Sequence, residues 1–198
     1  HVDASGVKVR HVYDRPGEYA VKLIVTDDDR AQAEVVIKVL IANRAPIARF
    51  SYRPSSPTDL DAVSFIDESY DPDGKVVRWL WEFGDGTNST ERSPKHRYAD
   101  DGIYLVKLTV WDDKGASSTA TEKIVVSNVM PKAMFSYSPE KAFTEQEVVF
   151  DASASADPDG RIVSYEWDLD GDGHVDASGV KVRHVYDRPG EYAVKLIV

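Results

Sequence analysis

Four aspartates are closely spaced in the run Asp168-x-Asp170-x-Asp172-Gly173-x-x-Asp176. Carboxylates at loop positions 1, 3, 5 and 9, with glycine at 6, match the first part of an EF-hand-type calcium loop. Gly171 and Gly173 let the backbone coil so that alternate side chains converge. A hard cation that takes six to eight oxygens is the ligand such a cluster would hold, and calcium is the cofactor expected. Position 12 is Gly179 rather than glutamate, and no helix pattern flanks the loop, so the remaining oxygens would come from water or backbone carbonyls. His174 stands at position 7, where a backbone carbonyl ligates and the imidazole has no part. The competing reading is an acidic hairpin loop in which Asp and Gly only make turns.

Other chemistries find less support. The chain has no cysteine, which removes disulfides and thiol catalysis. No motif marks a serine nucleophile, and there is no glycine-rich phosphate loop. Acidic residues are abundant but sit in turns and on polar faces, so no glycosidase pair stands out. A net charge of −10 argues against nucleic acid, which needs clustered Lys and Arg. No stretch approaches the roughly 18 apolar residues of a membrane span. These features predict a protein that is not an enzyme.

The elements that must position these residues read as short alternating strands. Apolar alternation is clear over Ile47–Tyr52, Ala62–Ile66, Val76–Phe83, Ile103–Trp111 and Glu122–Val126. Turn signals separate them, among them Asp71-Pro72-Asp73-Gly74, Gly84-Asp85-Gly86 and Asp112-Asp113-Lys114-Gly115. Strands of about 5–9 residues between Gly, Pro and Asp turns predict an all-β sandwich or barrel. Val77, Trp79, Trp81 and Phe83 would share one strand face, as would Val163, Tyr165, Trp167 and Leu169. Tyr104, Val106, Leu108 and Val110 form the stripe opposite. Trp111 has the other parity, where interdomain or sheet-face packing is the favoured role and surface contact with a glycan or protein the alternative.

The chain repeats at two periods. Its first twenty-five residues, His1–Val25, recur letter for letter as His174–Val198, which implies a tandem array. Within that period lie two diverged modules. Phe50-Ser51-Tyr52 matches Phe135-Ser136-Tyr137, Asp71-Pro72-Asp73-Gly74 matches Asp157-Pro158-Asp159-Gly160, and Trp81 falls on Trp167. The expected domains are therefore residues 1–44, the C-terminal part of a module; 45–128, a complete module; and 129–198, a module lacking its last strand. Residues 26–44 show what that last strand looks like, and neither partial module should be stable by itself.

Trp81-Glu82-Phe83-Gly84-Asp85-Gly86-Thr87, Pro94-x-His96-x-Tyr98 and Gly102-x-Tyr104-x-Val106-x-Leu108-Thr109-Val110 resemble the polycystic kidney disease (PKD) domain pattern. The second module follows the same pattern, except that its Trp167–Gly173 loop is longer. The resemblance implies tandem immunoglobulin-like sandwiches in an extracellular or cell-surface protein. It also implies that His11, His96 and His184 pack or hydrogen-bond at a sandwich edge. In such a sandwich the B–C and F–G loops lie at one end, beside the incoming chain. That brings Asp71 and Asp73 near Asp112 and Asp113, with Asn43 close by, and Asp157 and Asp159 near the counterparts of Asp27–Asp29. Several carboxylates together repel unless a cation intervenes, and some PKD-like domains bind calcium at this end. The alternative is ordinary turn chemistry with solvated charges.

The functional expectation is a structural repeat of an extracellular array (surface layer, sheath, stalk or filament) stiffened by calcium. Its partners would be neighbouring modules or further copies, and surface glycans or proteins. The alternatives are a spacer or binding module of a secreted polysaccharide- or protein-degrading enzyme, or an adhesin. Asn88-Ser89-Thr90 is a glycosylation sequon if the protein is secreted.

Overall fold

In the computed structural model, residues 3–198 are described and every regular element is a strand. His1 and Val2 of the duplicated segment lie outside the described residues. The strands fall into two compact units, His1–Pro57 with Asp61–Arg97 and Ile103–Val125, and Thr58–Leu60 with Tyr98–Gly102 and Val126–Val198.

The first unit holds three sheets. A hairpin pairs β1 (Gly17–Thr26) with β2 (Gln32–Ile41) in unbroken antiparallel register from Gly17↔Ile41 to Thr26↔Gln32. β3 (Phe50–Arg53), β4 (Val63–Asp67) and β7 (Lys95–His96) form the second sheet. The third has the order β6-β5-β8-β9, from β5 (Val76–Glu82), β6 (Asn88–Ser89), β8 (Gly102–Asp112) and β9 (Ser117–Val126). The last two sheets make a sandwich because each turns one apolar face inward. Phe50, Val63 and Phe65 come from one, and Trp81, Val106, Leu108, Val110 and Ile124 from the other, all buried. Trp81 is the keystone, edge-on to Phe50 at 5.1 Å and tilted against Phe65 at 5.3 Å. Its indole N–H donates to the Glu91 carbonyl at 3.0 Å, so no polar atom of the ring is stranded.

The second unit repeats this scheme with β10 (Ser136–Ser138), β11 (Glu147–Asp151) and β14 (Lys181–Val185) in one sheet. β12 (Glu166–Asp168), β13 (Ala177–Ser178) and β15 (Lys195–Ile197) form the other, in the order β13-β12-β15. Trp167 takes the part of Trp81, with Phe135 edge-on at 5.2 Å and its N–H on the Gly179 carbonyl at 2.9 Å. Val148, Phe150, Ala152, Leu169, Val182 and Leu196 complete the core.

One expected face does not run its full length. Val77 and Val163 are exposed, while Trp81, Phe83, Trp167 and Leu169 are buried as the alternation requires. The cause in the first unit is a register shift between Val76 and Arg78, a bulge that breaks the two-residue period before Trp79.

Candidate functional site

The acidic turn between β4 and β5 and the turn between β8 and β9 come together, as expected, against the segment that leads into β3. Asp112, at the end of β8, is buried and fully engaged. Its Oδ1 accepts the amides of Lys114 and Ala116, both at 2.9 Å, and its Oδ2 accepts the Asn43 side-chain amide at 2.8 Å. Burial opposes its charge, but the Asn43 amide and the turn amides outweigh it and hold the carboxyl below its ordinary range. Asp27 makes the same contact in the β1–β2 turn, where its Oδ1 accepts the Ala31 amide at 2.7 Å.

Asp71 and Asp73 are different. Asp71 Oδ1 accepts the Asp73 amide at 3.2 Å, and Asp73 Oδ2 accepts the Arg44 amide at 3.0 Å. Their other oxygens, together with Asn43 Oδ1, are buried with no hydrogen-bond partner. Burial, and then the charges of Asp73 and Asp112, push the Asp71 carboxyl up. Asp113 faces the same place. A Cβ added to Gly74 would stand 2.6 Å from Asp71 Oδ2 and 2.7 Å from Asp113 Oδ1, so only glycine lets the two carboxylates close in.

Asp67 shows what a satisfied buried carboxylate looks like in this fold. The Trp79 indole and the Arg92 guanidinium donate to its Oδ2 at 2.9 and 3.1 Å, and the Ser69 amide to its Oδ1 at 3.0 Å. Buried polar atoms are almost always paired. Two carboxylate oxygens and an amide carbonyl left buried without a donor in these turns have the donor chemistry of a hard cation, although their carboxylates do not form a group of three with ligand oxygens within 4.8 Å of one another.

The second unit has the counterpart. The Val129 amide donates to Asp159 Oδ2 as Arg44 does to Asp73. Oδ1 of Asp157 and Oδ1 of Asp159 are buried without a partner. Contact with Asp159 raises the Asp157 carboxyl, while the Val129 amide lowers that of Asp159. Sequence reasoning found the aspartates but not the amides of Arg44 and Val129, because backbone donors leave no trace in residue identity.

The Asp168 loop is only partly as expected. One oxygen each of Asp168, Asp170 and Asp176 falls within a 4.8 Å cluster, but Asp172 is not among them. Asp172 Oδ1 instead accepts the His174 amide at 2.8 Å and lies 3.2 Å from the His174 ring, which holds its carboxyl down. Asp168 is occupied on both sides, by Gly171 N at 2.7 Å and Gly173 N at 3.0 Å, and Asp176 by Leu169 N at 2.6 Å. These carboxylates shape the loop with their own hydrogen bonds and leave no orphaned oxygen comparable to those of Asp71 and Asp73.

Residues 2–40, 43–126 and 128–198 each match the PKD domain. The chain belongs to the PKD domain family. It is 39% identical over 136 residues to the pre-pro-metalloprotease PrtV of Vibrio cholerae, covering 67% of this chain and 14% of that protein. A microbial collagenase of Vibrio alginolyticus is 40% identical over 91 residues, 46% of this chain and 11% of the collagenase. Among solved structures, the PKD1 domain of Vibrio anguillarum Epp aligns at 40% identity, over 43% of this chain and 96% of that one, with a TM-score of 0.40. The PKD1 domain of PrtV aligns at 41% identity over 43% of this chain and all of that domain, with a TM-score of 0.39. The chain thus spans a small fraction of the full-length relatives it matches.

The remaining residues of the PKD pattern have structural work. His96 stacks on Phe83 at 4.1 Å with its ring 3° from parallel, and its Nε2 meets Asp85 Oδ2 at 2.6 Å. Burial raises the Asp85 carboxyl, but Thr87 and His96 together bring it below its ordinary range. Trp111 is half-buried rather than open, with the Arg78 guanidinium 3.8 Å above its ring. Asn88 is exposed and lies in the short strand β6.

Proposed function

We propose that this PKD chain is a non-catalytic spacer of an extracellular or cell-surface protein, and that calcium fixes the opening segment of each module to its acidic turns. The supporting observation is the set of orphaned oxygens on Asn43, Asp71 and Asp73 beside the buried Asp112. A cation there would bind the segment before β3 to the β4–β5 and β8–β9 turns and neutralise charges that otherwise repel. In a run of such modules, fixing each opening segment would stiffen the chain. Asp168, Asp170 and Asp176, with three ligand oxygens within 4.8 Å of one another, offer a second place for the same ion.

Relatives named as a metalloprotease and a collagenase favour a spacer in a secreted degrading enzyme. Collagen is an extracellular substrate, which fits the expected location. The letter-for-letter duplication favours the other reading, a long structural array, since a spacer needs few copies. The mass of the native polypeptide separates them: many such periods and no other domain would make it an array.

Calorimetric titration tests the metal. Binding with a Kd of about 0.1–1 mM, the range of extracellular modules, is expected. The D71N/D73N variant should lose the corresponding step, and unchanged binding in it would refute the site. Solution scattering with calcium and with chelator should differ in apparent flexibility; identical curves would rule out stiffening.

A further inference from the structure

The Asp157–Asp159 pair has a third carboxylate beside it, drawn from far upstream in the sequence. The second unit includes Thr58–Leu60, part of the β3–β4 connection, and Thr58 forms a parallel bridge with Ser127. Asp59, next in the chain, is only 8% exposed. Its carboxylate interacts with that of Asp159, and Asp159 with that of Asp157, although the three do not bring ligand oxygens within 4.8 Å of one another. Each of the three keeps its Oδ1 buried and without a partner. Among the ion pairs of the described residues, none involves any of the three.

Two species could hold such a chain of carboxylates together. A proton shared between neighbours removes one charge and satisfies one orphaned oxygen, leaving two. A divalent cation removes two charges and, by drawing the carboxylates inward, would give all three oxygens a partner. Nor is Asp59 a by-product of the module pattern. Matching Pro54 with Pro139 and Val63 with Val148 sets Asp59 opposite Thr144, which carries no charge. We propose that Asp59 is a ligand of a calcium ion held by Asp157 and Asp159, so that this site takes one oxygen from residues 58–60 and the others from the β11–β12 turn. The proposal rests on the calcium reading above and adds a ligand to it.

The test is a calcium titration of the 198-residue chain, followed by NMR at the Val129 and Arg44 amides, which report the two acidic sites separately. D59N should weaken the Val129 step by about tenfold, as loss of one charged ligand does, and leave the Arg44 step in place. D157N should weaken the Val129 step likewise, which shows that this amide reports the site. In chelator D59N should melt higher than the parent, because a like charge is gone; in saturating calcium that advantage should vanish or reverse. An unchanged Val129 step in D59N overturns the proposal. So does a parent chain in which only Arg44 responds, and that result leaves the proposed function standing. If neither amide responds, the calcium reading itself fails.

Discussion

Asp151 shows how a carboxylate in this fold behaves when it has a cation of its own. Lys181 Nζ lies 2.8 Å from its Oδ2, and the Ser153 amide donates to its Oδ1 at 3.0 Å. Lys181 first, and then Ser153, bring the Asp151 pKa down to about 2. A carboxyl depressed on folding adds stability above its unfolded pKa of about 3.9 and loses it as pH falls toward the folded value. Urea denaturation of D151N should therefore show a shallower loss of stability than the parent between pH 4 and pH 2, and parallel curves would refute the linkage. Asp71, Asp73, Asp157 and Asp159 were legible in the sequence because Asp-Pro-Asp-Gly is both a turn signal and a pair of carboxylates. Asp59 was not, since nothing in Pro57-Thr58-Asp59-Leu60 says which carboxylate a hundred residues away it will meet.

At the scale of elements, alternation was the reliable guide and local irregularity defeated it. Val106, Leu108 and Val110 are all fully buried, as strict alternation along β8 demands. Val77 fails because a bulge is set by pairing with β8, which composition does not reveal. The two-residue strands β6, β7 and β13 were invisible for a related reason: they are held by a neighbour's ladder and carry no periodicity. The turn after β5 gives a sharper case. Gly84 and Gly86 both have positive φ, 88° and 90°. A Cβ at Gly84 would meet the Leu105 amide nitrogen and carbonyl oxygen at 2.8 Å, whereas at Gly86 it meets nothing within 4 Å. Chemical denaturation should show G86A losing roughly 1–2 kcal/mol, the cost of a left-handed residue. G84A should lose clearly more, because β8 must also move aside; equal losses would show that the close approach is relieved elsewhere.

At the scale of the whole chain, the sequence disclosed the repeat and the family, and because residues 1–44 are only the C-terminal part of a module, the two identical segments stand in different surroundings within these 198 residues. Their local contacts agree. Tyr19 Oη donates to the Arg15 carbonyl at 2.9 Å, and Tyr192 Oη to that of Arg188 at 2.9 Å. The Tyr13–Tyr19 and Tyr186–Tyr192 rings lie 4.2 and 4.0 Å apart. Longer-range contacts do not agree. Lys181–Val185 is a strand because β11 pairs with it, while Lys8–Val12 forms none. Val182 is 7% exposed and its twin Val9 56%; Leu196 is 9% exposed and Leu23 53%. Short-range chemistry is written in the letters, and the ladder depends on what stands beside them.

Val7–Val12 and Val180–Val185 therefore have one mass and one intrinsic amide chemistry in two surroundings. In hydrogen-exchange mass spectrometry, a peptic peptide covering this hexapeptide should give two isotopic envelopes, one fast and one slow, from a homogeneous sample. A single envelope at all times would mean that β14 is no better protected than its twin. Within these 198 residues the first copy thus serves as an unprotected standard, and the spacing of the two envelopes reads the opening free energy of β14 with no reference peptide.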